Sequence, residues 1–86
     1  MKIIFTPRAF DQYNSWNDEE EQVFAKIKEL IKQTVRDPFK GIGKPEPLKG
    51  NYKGFWSRRI NQEHRLIYRV AADAIEIVSC KGHYES

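Results

Sequence analysis

The spacing of apolar residues changes along the chain, and each change predicts an element. A short apolar run from Lys2 to Phe5 reads as a strand closed by Thr6-Pro7. Thr6 can cap a helix there, and proline suits its first position because that N–H is unpaired in any case. Ala9, Tyr13 and Trp16 then fall at i, i+4 and i+7 with Phe10 alongside, a helical spacing that predicts these aromatics as core. Asn17-Asp18 offers a turn and a cap. It places Glu19, Glu20 and Glu21 in the first turn of a second helix, where the macrodipole favours negative charge. Val23, Phe24, Ile27, Leu30, Ile31 and Thr34 trace one stripe of that helix, Lys26, Lys28, Lys32 and Arg36 lie outside it, and Asp37-Pro38 stops it.

Beyond the helices the period drops to two, but only after an irregular stretch. Residues 38–54 hold three of the four prolines and four of the five glycines, which predicts a structured loop without a ladder of its own. Loops of this length inside a compact domain are usually functional or disordered, and prolines at 38, 45 and 47 argue against disorder. Three strands follow, Phe55 to Ile60, His64 to Val70 and Ile75 to Cys80, with turns at Asn61-Gln62-Glu63 and around Asp73 and a tail from Lys81 to Ser86. Residues 1–86 therefore read as one α+β domain: two N-terminal helices packed on one face of a twisted, mainly antiparallel sheet of four to five strands.

The alternation contains a conflict. Leu66, Tyr68 and Val70 suit the core, so Arg65, Ile67 and Arg69 face the other way and that face is at least partly wet. If Asn61-Gln62-Glu63 is a three-residue hairpin loop, Ile60 pairs with His64 and Arg59 lies directly across from Arg65. Like charges opposite one another are unfavourable, so two guanidinium groups held there point to an anion; a register shifted by one residue would separate them. Trp56 is core by alternation with Ile60, although an exposed Trp beside Arg58 could stack on a base, and His64 reads as structural at the start of its strand.

Charge and cysteine usage narrow the function classes. The net charge is +3, and the excess of Lys and Arg falls in the second half, a weak pointer to anionic partners. The single cysteine, Cys80, makes no internal disulfide and reads as a small buried hydrophobe in a reducing compartment. No apolar run is long enough to span a membrane and no signal peptide is evident, so a cytoplasmic location without membrane partners is expected. No cofactor is indicated, and no carboxylate and histidine cluster has metal-ligand spacing.

Within GIGKPEPLKG, residues 41–50, Glu46 stands between two prolines whose fixed φ limits the motion of the backbone carrying it. Glu46, Lys49, Arg59, Arg65, His83 and Tyr84 are the ingredients of a metal-free RNA-cleaving site. Such a site needs a base for the 2′-hydroxyl, cations for the phosphate, an acid for the leaving oxygen and an aromatic for a base ring. A non-catalytic RNA- or ribosome-binding module that keeps the basic face is the alternative.

GKPEPLKG, GFWSRRINQEHRLIYRV and the terminal CKGHY, in this order and across nearly the whole chain, resemble the YoeB toxins of the Txe/YoeB group within the RelE-like superfamily. The resemblance implies a microbial-RNase-like α+β fold and a ribosome-dependent endoribonuclease that cuts messenger RNA in the A site without metal. It places the general base on Glu46, the phosphate-stabilising arginine on Arg65, the general acid on His83 with Tyr84 adjoining, and supporting basic positions on Lys49 and Arg59. It also implies a cognate, YefM-like antitoxin with a disordered acidic segment, and self-association as a dimer. Two departures stand out: Glu85 and Ser86 follow His-Tyr, where relatives commonly end, and Phe10 replaces a larger aromatic.

Overall fold

A computed structural model of the chain describes residues 1–83. Its elements are β1 (Lys2–Phe5), α1 (Pro7–Glu19), α2 (Glu21–Arg36), β2 (Glu46–Pro47), a 3₁₀ turn (Gly50–Tyr52), β3 (Trp56–Arg59), β4 (Arg65–Ala71) and β5 (Ala74–Ser79). The strands form one five-stranded mixed sheet in the order β1-β5-β4-β3-β2, parallel between β1 and β5 and antiparallel elsewhere.

Helix α1 begins as the sequence predicts, with the Ala9 N–H donating to Thr6 Oγ1 at 3.2 Å and Pro7 in the first turn. Its end differs from expectation. The helix runs through Asn17 and Asp18 to Glu19, and the junction is Glu20 in extended backbone, without a side-chain cap. Neither Asn17 nor Asp18 is apolar or a strong breaker, so nothing at those positions stops a helix whose Trp16 is anchored in the core. Phe10 corrects a second expectation. It is 52% exposed and touches Phe5 only edge-on, at 6.1 Å between centroids, because it lies off the line through Ala9 and Trp16.

The stripe of α2 is buried as read, with Val23, Ile27, Leu30, Ile31 and Thr34 inside and Phe24 partly so. These residues pack with Ala9 and Trp16 of α1 against Ile60, Leu66, Tyr68, Ile75 and Ile77, leaving the sheet's other face outside this core. Each such apolar side chain contributes roughly 1.5–3 kcal/mol, so this one layer supplies most of the domain's hydrophobic stabilisation.

Residues 38–54 do contain a ladder, contrary to expectation. Glu46 pairs with Ser57 and Pro47 with Trp56, and the Leu48 N–H donates to the Phe55 carbonyl at 2.9 Å. Glu46 and Leu48 thus face β3 while the prolines at 45 and 47 point their donor-less nitrogens outward, which is the arrangement an edge strand tolerates.

Candidate functional site

Strand register assembles the candidate site. Arg59 lies directly across from Arg65, and Glu46, Ser57 and Ile67 form the next row of opposed residues on the same face of the sheet. Diagonal neighbours on adjacent strands stand ~7–8 Å apart, so the Glu46 and Arg59 backbones are at about that distance, within reach of one phosphate between their side chains. Glu46 and Arg59 are exposed, while Arg65 is half-buried. The face is not uniformly wet, since Ser57 and Ile67 are buried on it.

The Arg59–Arg65 conflict is partly relieved within the protein. Arg65 turns its Nη1 over the hairpin and donates to the carbonyls of Asn61, Gln62 and His64, at 2.7, 3.2 and 3.1 Å. Asn61 shapes that loop, its Oδ1 accepting from the N–H groups of Glu63 and His64 at 2.9 and 2.8 Å. A guanidinium oriented by three carbonyl dipoles is pre-positioned, and a phosphate would not have to order it.

His83 reaches the same end of the sheet. The Arg65 N–H donates to the Gly82 carbonyl at 2.9 Å, so the residue after Gly82 is delivered beside the start of β4, and His83 is exposed there. Lys49 falls outside this register: its backbone immediately precedes the 3₁₀ turn, beyond Glu46 on the side away from the hairpin. Tyr84 lies outside the described residues. Among the described residues no group of His, Cys, Asp and Glu could hold a metal ion, and no helix is long and apolar enough to cross a membrane.

Sequence reasoning missed the role of Arg58. Alternation with Trp56 and Ile60 puts it on the core face, and it is 0% exposed. Its guanidinium donates to the Tyr68 hydroxyl at 3.2 Å, to the Ile42 and Lys40 carbonyls at 3.0 and 2.9 Å, and to the Asp37 carbonyl. The Tyr68 hydroxyl in turn donates to the Pro38 carbonyl at 2.6 Å, and burial pushes its phenol up, keeping it neutral. Burying a cation costs several kcal/mol, and hydrogen bonds from a charged donor contribute ~1.5–3 kcal/mol each, so the four acceptors decide that Arg58 can stay inside. The consequence is a glycine-rich loop, residues 37–43, stapled to the sheet just before Glu46. Trp56 beside it is half-buried against Phe39, at 4.9 Å between centroids, in keeping with its core reading.

A cavity of about 780 Å³ lies elsewhere, between β1 and α2, lined by Ile3, Phe5, Tyr13, Ile31 and Val35 with Lys28, Lys32 and Arg36. It shares no residue with the face that carries Glu46, Arg59 and Arg65.

Residues 5–84 match the family described as "YoeB-like toxin of bacterial type II toxin-antitoxin system". The chain belongs to this family. It is 51% identical over 84 residues to "Toxin YoeB" of Escherichia coli K12, covering 98% of this chain and 100% of that one. Its fold superposes on the YoeB/ParE toxin from Agrobacterium tumefaciens with a TM-score of 0.95 at 44% identity, over 98% of this chain and 100% of that one. The YoeB dimer and the YoeB–YefM complex from Staphylococcus aureus follow, with TM-scores of 0.90 and 0.89, each at 47% identity and covering 98% of both chains. Family membership makes the chain a YoeB-type toxin of a toxin–antitoxin system and agrees with two helices on a five-stranded mixed sheet.

Proposed function

We propose that the chain is a ribosome-dependent endoribonuclease that cuts messenger RNA in the ribosomal A site and so inhibits translation. Glu46 takes the proton from a 2′-hydroxyl, and the 2′ oxygen attacks the adjacent phosphorus. The bond to the 5′ oxygen breaks as His83 protonates the leaving group, giving a 2′,3′-cyclic phosphate and a 5′-hydroxyl. Arg65 stabilises the charge that accumulates on the phosphorane oxygens, helped by Arg59, and Lys49 holds a neighbouring phosphate. Tyr84 stacks on or orients a base beside His83. The chemistry uses no metal ion.

The observation that carries this reading is the shared face: β-register places Glu46 one row from the opposed arginines, and the Arg65–Gly82 hydrogen bond leads the chain to His83 at that row's end. Register supports this reading by bringing Glu46 of the edge strand and the two arginines of the hairpin, far apart in sequence, onto one face. The S. aureus complex with YefM supports a cognate antitoxin as the neutralising partner here, and the S. aureus dimer supports self-association. Action on ribosomes places the working protein in the cytoplasm.

The test adds purified protein to a translating extract and maps the message by primer extension, with Glu46→Ala, His83→Ala and EDTA-treated free RNA in parallel. Discrete cuts within A-site codons, lost in both variants, are expected. Intact message with ribosome-bound protein would instead make the basic face a binding surface, and the catalytic roles would be withdrawn.

A further inference from the structure

The approach to His83 is gripped at two successive points. At Cys80, the carbonyl accepts from the Trp16 indole Nε1 at 2.9 Å and the N–H donates to Gln12 Oε1 at 2.8 Å. At Gly82, the carbonyl accepts from the Arg65 N–H at 2.9 Å and the N–H donates to His64 Nδ1 at 2.8 Å. Lys81 between them is tied to Glu19 at 3.2 Å and lies over the Trp16 ring at 4.9 Å. Both polar groups of the Gly82 backbone are therefore engaged, one of them by a side chain.

Gly82 sits at φ +88°, a conformation glycine adopts freely and leaves as freely. The two hydrogen bonds are what hold it, and a rotation there would swing His83 away from Arg65. The His64 contact requires Nδ1 to be an unprotonated acceptor, which leaves the ring proton on Nε2, 3.3 Å from Glu63 Oε2. The ring also meets Trp16 edge-on, 4.7 Å between centroids at 73°.

We propose that His64 is a positioning residue for His83, its Nδ1 fixing the Gly82 peptide and hence the direction from which the imidazole of His83 approaches the leaving oxygen. The inference rests on the reading of His83 as the general acid. A misplacement of about 1 Å can cost ~100-fold in rate, so an acceptor that never touches RNA can still control the chemistry.

Two substitutions separate the acceptor from simple ring packing. His64→Asn sets an amide oxygen near the Nδ1 position but removes the ring, whereas His64→Phe keeps the ring against Trp16 and removes the acceptor. Single-turnover cleavage of message on programmed ribosomes is measured for both, with ribosome affinity determined separately and His83→Gln as reference. His64→Phe is expected to cut about 10–100-fold more slowly at unchanged affinity, and His64→Asn to recover most of the rate. A His64→Asn rate at or below that of His64→Phe would assign His64 to packing and overturn the proposal. So would wild-type rates in His64→Phe while His83→Gln is slow. Wild-type rates in His83→Gln would instead overturn the acid assignment itself. A measurement on the unaltered protein stands beside these in case His64→Phe does not fold: a through-hydrogen-bond ¹⁵N–¹⁵N coupling between Gly82 N and His64 Nδ1 is expected, and its absence would equally refute the proposal.

Discussion

The buried guanidinium of Arg58 and the phenol of Tyr68 meet at 3.2 Å inside the sheet–loop junction, and together they bind backbone carbonyls from residues 37–42. Among the described residues no carboxylate forms an ion pair with this cation. Carbonyl dipoles take that part, so the loop leading to Glu46 and the core of the domain form a single cooperative unit.

Arg58→Met should therefore cost far more than a lost surface charge. It leaves the Asp37, Lys40 and Ile42 carbonyls without their donor, an effect of roughly 3–5 kcal/mol in a domain whose whole stability is on the order of 5–15 kcal/mol. Arg58→Lys should recover only part, because a point charge cannot reach acceptors spread around a planar fork. Urea denaturation of both variants checks this, and a loss below about 1 kcal/mol for Arg58→Met would contradict it.

Gly43 tests the same junction from the loop side. At φ +81°, a Cβ there would stand 2.9 Å from Leu30 Cδ2 and 3.2 Å from the Arg59 carbonyl, while the Gly43 carbonyl already accepts from the Arg59 N–H at 2.6 Å. Gly43→Ala should lose roughly 2–4 kcal/mol through overpacking and backbone strain combined. An unchanged melting temperature would show that the loop can move away without cost.

Arg59 should behave in the opposite way. It is exposed and faces Arg65, so Arg59→Gln relieves like-charge repulsion and leaves stability unchanged or raised by ~0.2–1 kcal/mol. The same change should reduce the salt dependence of single-stranded RNA binding by about 0.7 in the log–log slope, the loss of one phosphate contact. Thermal melts and a salt titration measure the two effects. A clear drop in stability with an unchanged slope would place Arg59 in the structural framework and not at the RNA.

Cys80 gives a pH dependence with a definite sign. Burial pushes its thiol from the ordinary 9.0 up to about 11, so the folded state resists forming the thiolate that the unfolded chain forms readily. This contribution is fully present below pH 9 and is lost as pH rises toward 11, by roughly 2–3 kcal/mol at the upper end. Urea midpoints of the native chain and Cys80→Ala compared at pH 7 and pH 10.5 isolate it, with the native chain expected to fall further. Equal falls would refute it.

Which features could be read from sequence follows the range of the forces involved. The Arg59–Arg65 pairing was legible because a three-residue loop and a two-residue alternation set the register locally. The edge strand at Glu46–Pro47 was not, because proline reads as a breaker until a partner strand shows which side of each residue needs a donor. The break between α1 and α2 fell at Glu20 and not at Asp18, since consecutive polar residues carry little preference of their own. The buried place of Arg58 was not read from the sequence, because the carbonyls that let a cation stay inside come from residues up to 21 positions away. The His64–Gly82 contact spans 18 residues and left no periodic trace. Glu46, Lys49, His83 and Tyr84 were assigned through the family motif, because isolated polar residues in loops and tails have no pattern that names their role.

The proposed mechanism turns on a 2′-hydroxyl as nucleophile with Glu46 as its base. The most direct measurement follows cleavage of message on programmed ribosomes carrying either an all-ribose strand or one with a single 2′-deoxynucleotide at the scissile position, with end-group analysis of the products. A 2′,3′-cyclic phosphate from the ribose strand, no cut in the deoxy strand, and a rate ~10²–10⁴-fold lower for Glu46→Ala are expected. Comparable cutting of the deoxy strand would contradict it, because water and not the neighbouring hydroxyl would then be the attacking group.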